Sequence, residues 1–134
     1  MNAAHPCCSL SSPSLLVLAI FDFLCCVVGF TALLASTAPL SVLLDATGLQ
    51  YYSSGVWTGY RSDPRVGCSQ TGPNHAVLLV GFNATAEGQP FYSAKNSWGA
   101  GWGEGGYFRL SRVVGEEGPG TCGVQSFATS AVAV

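Results

Sequence analysis

One stretch limits what this 134-residue chain can become: Ala94-Lys95-Asn96-Ser97-Trp98-Gly99-Ala100-Gly101-Trp102-Gly103-Glu104-Gly105-Gly106-Tyr107. Fourteen residues hold two tryptophans, five glycines and one asparagine. Each interior glycine costs a helix about 1 kcal/mol relative to alanine, so a helix is excluded here. The spacing is also too irregular for an uninterrupted strand, and glycine permits positive φ and close backbone approach. A loop of this kind can lay an indole over a polar neighbour. Shielded by Trp98, the Asn96 amide can hold one fixed hydrogen bond, and its natural partner is a histidine. The chain has two: His5 lies in an apolar leader, and His75 opens an apolar run in Asn74-His75-Ala76-Val77-Leu78-Leu79-Val80-Gly81.

Apolar character is spread unevenly. Residues 14 to 36 carry thirteen Leu, Ile, Val or Phe and a single charge, Asp22. At 1.5 Å per residue a helix of that length crosses a bilayer core of about 30 Å, and the apolar side chains outweigh a cost of roughly 3 kcal/mol for Asp22. The leader, residues 1 to 37, therefore reads as a signal peptide, a signal anchor with membrane association through 14–36, or foreign sequence joined to a partial gene. No Lys or Arg precedes it to orient it. Residues 38 to 134 form an ordinary globular sequence, enough for one modest core. With charged residues at 9% and a net charge of −2, nothing points to nucleic acid. A metal site is excluded on composition: the domain has one histidine, no Cys-x-x-Cys and no acidic cluster. No cofactor is called for.

Along the domain, Pro39 to Ala46 reads as a strand and Thr47-Gly48 as a turn. Gly59 to Pro73 is a Gly/Pro/Ser loop. Ala76 to Phe82 reads as a buried strand, and Pro90 to Asn96 as the next. Gly106 to Arg112 alternates, with Phe108 and Leu110 on one face and Arg109 on the other, as in a half-solvated antiparallel strand. Glu116-Glu117 reads as a solvated turn and Val124 to Val134 as a terminal strand. Many strands with little helix predict an antiparallel, β-barrel-like sheet. Asn83-Ala84-Thr85 is an N-glycosylation sequon in a polar loop.

Asn-His-Ala-Val before an apolar strand, followed by Lys-Asn-Ser-Trp-Gly-x-Gly-Trp-Gly-Glu-x-Gly-Tyr, resembles the papain family of cysteine peptidases. The likeness is to the β-rich second half of that α+β catalytic unit, over about residues 39 to 134. It implies a Cys–His–Asn arrangement with His75 as base, Asn96 as its orienter, Trp98 as shield and Trp102 in support. Leu43, with Asn74, Ala76 and Phe127, falls where the family builds its second substrate subsite. Cys68 and Cys122 match positions that the family joins as a disulfide; the alternative is two free buried thiols. A disulfide here implies an oxidising compartment: the secretory pathway, a lysosome or vacuole, or the cell exterior.

The nucleophile has no match. In the family it follows a glutamine by six residues and precedes a tryptophan. Six residues before Cys7, Cys8, Cys25, Cys26, Cys68 and Cys122 stand Met1, Asn2, Ala19, Ile20, Ser62 and Glu116, and no Trp follows any of them. The expectation is a truncated thiol endopeptidase, inactive by itself, that acts on peptide or protein substrate only when its missing half is supplied. The alternative is a membrane-tethered, non-catalytic binding module.

Overall fold

A computed structural model describes residues 27–36, 38–59, 67–113 and 118–130. These residues form an α-helix, α1 (Val27–Ser36), and six strands: β1 (Leu40–Leu44), β2 (Val56–Trp57), β3 (His75–Ala84), β4 (Pro90–Lys95), β5 (Tyr107–Ser111) and β6 (Ala128–Ser130). The strands make a single sheet in the order β2-β5-β4-β3-β1-β6.

Alternation in the sequence sets the core face. In β1, Leu40, Val42 and Leu44 are buried while Ser41 and Leu43 point outward. β3 contributes Val77 and Leu79, β4 Tyr92 and Ala94, and β5 Phe108 and Leu110 to the same core. The β6–β1, β1–β3, β3–β4 and β4–β5 pairs are antiparallel. β3 carries a bulge at Val80, where two residues advance against one on β4.

Four expectations change. The sheet is open rather than barrel-like: its edge strands β2 and β6 have two and three residues, too little ladder to join the edges. It is also not wholly antiparallel, because β2 runs parallel to β5. The run Ala76 to Phe82 is not buried throughout; Val80 and Phe82 are exposed. A continuous apolar run fits a strand covered on both faces, whereas this sheet has one face on the described core. The terminal strand does not start at Val124: among the described residues of the expected Val124–Val134 span, only Ala128–Ser130 joins the sheet, and 131–134 lie outside the described residues.

Within the leader Val27–Ser36 is helical, as its apolar character predicts, but two of its side chains belong to the core. Phe30 and Leu34 are buried there, and Phe30 meets the Tyr92 ring edge-on at 5.6 Å. Burying a phenylalanine of this size contributes about 2–3 kcal/mol. Among the described residues no helix is long and apolar enough to cross a membrane. Residues 14–26 of the expected span, Glu116-Glu117 and part of the Gly59–Pro73 loop lie outside the described residues.

Cys68 and Cys122 are joined as a disulfide across a separation of 54 residues. Closing a loop of that size contributes about 4 kcal/mol in the chain-entropy view. On the opposite side of the sheet's strand order, Glu104 holds Arg109 through both carboxylate oxygens (2.6–3.1 Å) and accepts the Gly55 N–H at 2.9 Å. The Arg109 hydrogen bonds keep the Glu104 carboxyl below its ordinary value. Both side chains are about one-third exposed, so solvent screening limits the pair to about 1 kcal/mol. A depressed folded-state pKa stabilises above the unfolded value and loses that effect as pH falls through the folded one. Thermal melts of wild type and Glu104→Gln should therefore differ by a constant amount at neutral pH and converge below about pH 4.3; a difference that persists unchanged in acid contradicts the pairing.

Candidate active site

Antiparallel pairing brings the start of β3 beside the end of β4. Leu78 stands opposite Lys95, so the next step of the ladder sets Asn96 near Val77, diagonal to His75 and within reach of a long side chain. The Nε2–H of His75 donates to Oδ1 of Asn96 at 2.9 Å. That oxygen also accepts the Ser97 backbone N–H at 2.8 Å. Two donors on one atom identify it as the amide oxygen and leave Nε2 as the protonated ring nitrogen. The Nδ1 lone pair of neutral His75 is then the basic atom. Asn96 is buried, and among the described residues its Nδ2 has no hydrogen-bond partner.

The Gly/Trp loop packs beside the His75 ring. Trp98 lies against the His75 ring with centroids 5.0 Å apart and planes 32° from parallel. Trp102 meets Trp98 edge-on at 5.0 Å and rests on Tyr52 and Phe108 in the core. The loop is pinned by Asn96 N–H to Gly106 O and Gly106 N–H to Trp102 O, at 2.9 and 2.7 Å. Gly103 has φ of 56°, and a Cβ there would lie 2.6 Å from the Tyr107 carbonyl oxygen. Only glycine fits. Tyr52 locks the support: its hydroxyl donates to Gly55 O at 2.7 Å and accepts from Arg109 N–H at 3.2 Å.

An open cleft of about 410 Å³ adjoins His75, lined by Ala46, Thr47, Gln50, Asn74, His75 and Trp98. The structure thus brings His75, Asn96, Trp98 and Asn74 together. Leu43 stands opposite Ala76 in the β1–β3 ladder, and its N–H approaches the Phe127 carbonyl at 3.4 Å. All three are exposed, an apolar patch beside His75. Asn83 is exposed at the far end of β3.

Ala46, Thr47, Gln50 and the buried Asp45 behind them went unread in the sequence. Asp45-Ala-Thr47-Gly48 is a turn whose aspartate bonds the backbone two residues on, and that pattern could have marked Asp45. Its Oδ1 accepts from Thr47 N–H at 2.9 Å and Thr47 Oγ1 at 2.6 Å. Burial works to raise the Asp45 pKa, but bonds from the Thr47 hydroxyl, the Ser69 and Thr47 N–H groups and the Asn74 amide outweigh it, and the carboxyl lies below its ordinary value. Among the described residues no three His, Cys, Asp or Glu side chains converge as a metal set.

A family model described as papain family cysteine protease matches residues 28–132. Ananain of Ananas comosus is 43% identical over 90 residues, covering 66% of this chain and 24% of its own. Cathepsin F of Mus musculus is 43% identical over 101 residues, covering 75% of this chain and 20% of its own. Bromelain protease from Ananas comosus, solved with the E64 inhibitor, superposes with a TM-score of 0.68 at 32% identity over 81% of this chain and 46% of that one. Digestive procathepsin L 3 of Tenebrio molitor larval midgut gives 0.67 at 33%, over 81% and 32%. The chain thus spans about a quarter or less of the length of these curated relatives.

If Asn96 fixes the ring, neutral His75 should be protonated at Nε2. Nitrogen-15 spectra of the imidazole check this. Asn96→Ala, which removes one net hydrogen bond of about 1 kcal/mol, should lower the Nε2–H to Nδ1–H ratio about fivefold. An unchanged ratio means that Asn96 does not orient the ring.

Proposed function

Since the chain belongs to the papain family of cysteine proteases, we propose that His75 and Asn96 are the base and its orienter in a thiol endopeptidase. The observation that carries this reading is the Nε2–Oδ1 bond of 2.9 Å beside Trp98, which leaves Nδ1 for a thiol. The thiol gives its proton to Nδ1, and the thiolate attacks the scissile carbonyl carbon. The imidazolium then protonates the leaving amine, an acyl-thioester remains, and water activated by the same imidazole releases the acid. Asn96 holds the ring through both transfers.

The nucleophile and the oxyanion donors belong, in this reading, to a segment outside the 134 residues. Both described cysteines are tied up with each other. Loss of one oxyanion donor alone costs about 3 kcal/mol of transition-state stabilisation. The chain by itself is therefore inactive towards peptides. Leu43, Asn74, Ala76 and Phe127 form one wall of a subsite for an apolar or aromatic residue.

The test is turnover of a fluorogenic peptide with Leu or Phe at the second position, at mildly acidic pH under gentle reduction. The chain alone should give none. Mixing or joining it with a family segment carrying the Cys-Gly-x-Cys-Trp nucleophile should give turnover that His75→Ala abolishes. Turnover by the chain alone that His75→Ala removes would show that the nucleophile lies within these residues.

The disulfide accords with function in the secretory pathway, a lysosome or vacuole, or outside the cell. In that setting Asn83 carries a glycan. Chain purified from a secretory host should lose mass on treatment with an amide-cleaving glycosidase, and Asn83→Gln chain should not; equal masses before and after treatment of the wild type count against it.

A further inference from the structure

The mechanism above makes no use of Asp45, yet this carboxylate is only 6% exposed and collects four hydrogen bonds. We propose that Asp45 is a positioning residue for the cleft: it sets the Asn74 amide, and through it the Ala46 wall and the start of β3 where His75 stands. This deepens the preceding section and rests on His75 as the base.

The geometry runs in one direction. Oδ1 of Asp45 accepts from Asn74 Nδ2 at 2.8 Å, besides the two Thr47 donors, and Oδ2 accepts from Ser69 N–H at 2.5 Å. With Nδ2 committed, the Asn74 amide has one orientation, and its Oδ1 accepts the Ala46 N–H at 2.8 Å. The Asn74 backbone N–H bonds Leu44 O at 3.0 Å. Asn74 immediately precedes His75, and Ala46, Thr47, Asn74 and His75 all line the cleft. Asp45 is therefore tied to the base by a chain of contacts: carboxylate, exposed amide, strand start. It is tied to the disulfide as well, since its own N–H donates to Cys122 O at 2.9 Å and Ser69 follows Cys68.

A plain core-stabilising role makes a different forecast. Asp45→Asn keeps the shape but replaces one acceptor by a donor. Whichever way the new amide turns, an NH₂ confronts either Ser69 N–H or the three donors at Oδ1. Thr47→Val removes one of those donors from an exposed position and leaves the carboxylate in place. In the full chain, labelled with nitrogen-15, the Ala46 N–H reports Asn74 orientation because Asn74 Oδ1 is its acceptor, and the His75 ring nitrogens report the base.

In Asp45→Asn, Ala46 exchange should rise about fivefold, the equivalent of one lost hydrogen bond, while Leu79 and Phe108 exchange as in wild type. The His75 ring signals should shift with it. Thr47→Val should move both readouts the same way by less, and it carries the test if Asp45→Asn does not fold. Unchanged Ala46 exchange, acceleration shared equally by Leu79 and Phe108, or an Ala46 change with unmoved His75 signals each overturns the proposal. These readouts need no catalysis. A failure of His75 as base appears instead as absence of turnover in the completed wild-type enzyme, so the two failures are distinguishable.

Discussion

The register between β3 and β4 is the constraint on which the site depends. His75 is the first residue of β3 and Asn96 follows the last of β4, and only the observed pairing sets them diagonally on one face. A slip of one residue would turn either strand's side chains to the other face, parting the imidazole from the amide. Val77 and Leu79 on β3, with Tyr92 and Ala94 on β4, hold the register by being buried together. The bulge at Val80 lies beyond this segment, so it re-aims the outer half of β3 without disturbing the half that carries His75.

Around that register stand two supports. One is aromatic: Trp98 lies against the His75 ring, Trp102 backs Trp98, and Tyr52 and Phe108 anchor Trp102 in the core. The other is polar and lies across the cleft, where Asp45 joins Thr47, Ser69 and Asn74 close to the Cys68–Cys122 bridge. Both supports reach the cleft, through Trp98 on one side and Thr47 and Asn74 on the other.

Much of the site was legible because its residues are locally unusual. A Gly/Trp run has few physical uses, and a lone domain histidine at a strand start leaves one candidate partner. The alternation of β1 and β5 was also plain, since each has one buried and one open face. What stayed hidden depends on tertiary contact. The leader's apolar run continues without a break into Phe30 and Leu34, so nothing local separates lipid-compatible residues from those that pack on Tyr92. Barrel closure depends on how far the two- and three-residue edge strands extend, which periodicity cannot show. Asp45 went unread because two of its four hydrogen bonds come from the distant Ser69 and Asn74, which no local pattern displays.

The central claim is that His75, oriented by Asn96, holds a thiol as thiolate. The direct measurement is the pH dependence of alkylation of the nucleophilic cysteine when this chain is joined to a family segment that carries it. An ordinary thiol titrates near pH 8.5, and an imidazolium neighbour lowers that by several units. The account predicts alkylation that persists at mildly acidic pH and reverts towards the ordinary thiol profile in His75→Ala, with Asn96→Ala between the two. A thiol that titrates near pH 8.5 with His75 and Asn96 intact would contradict it.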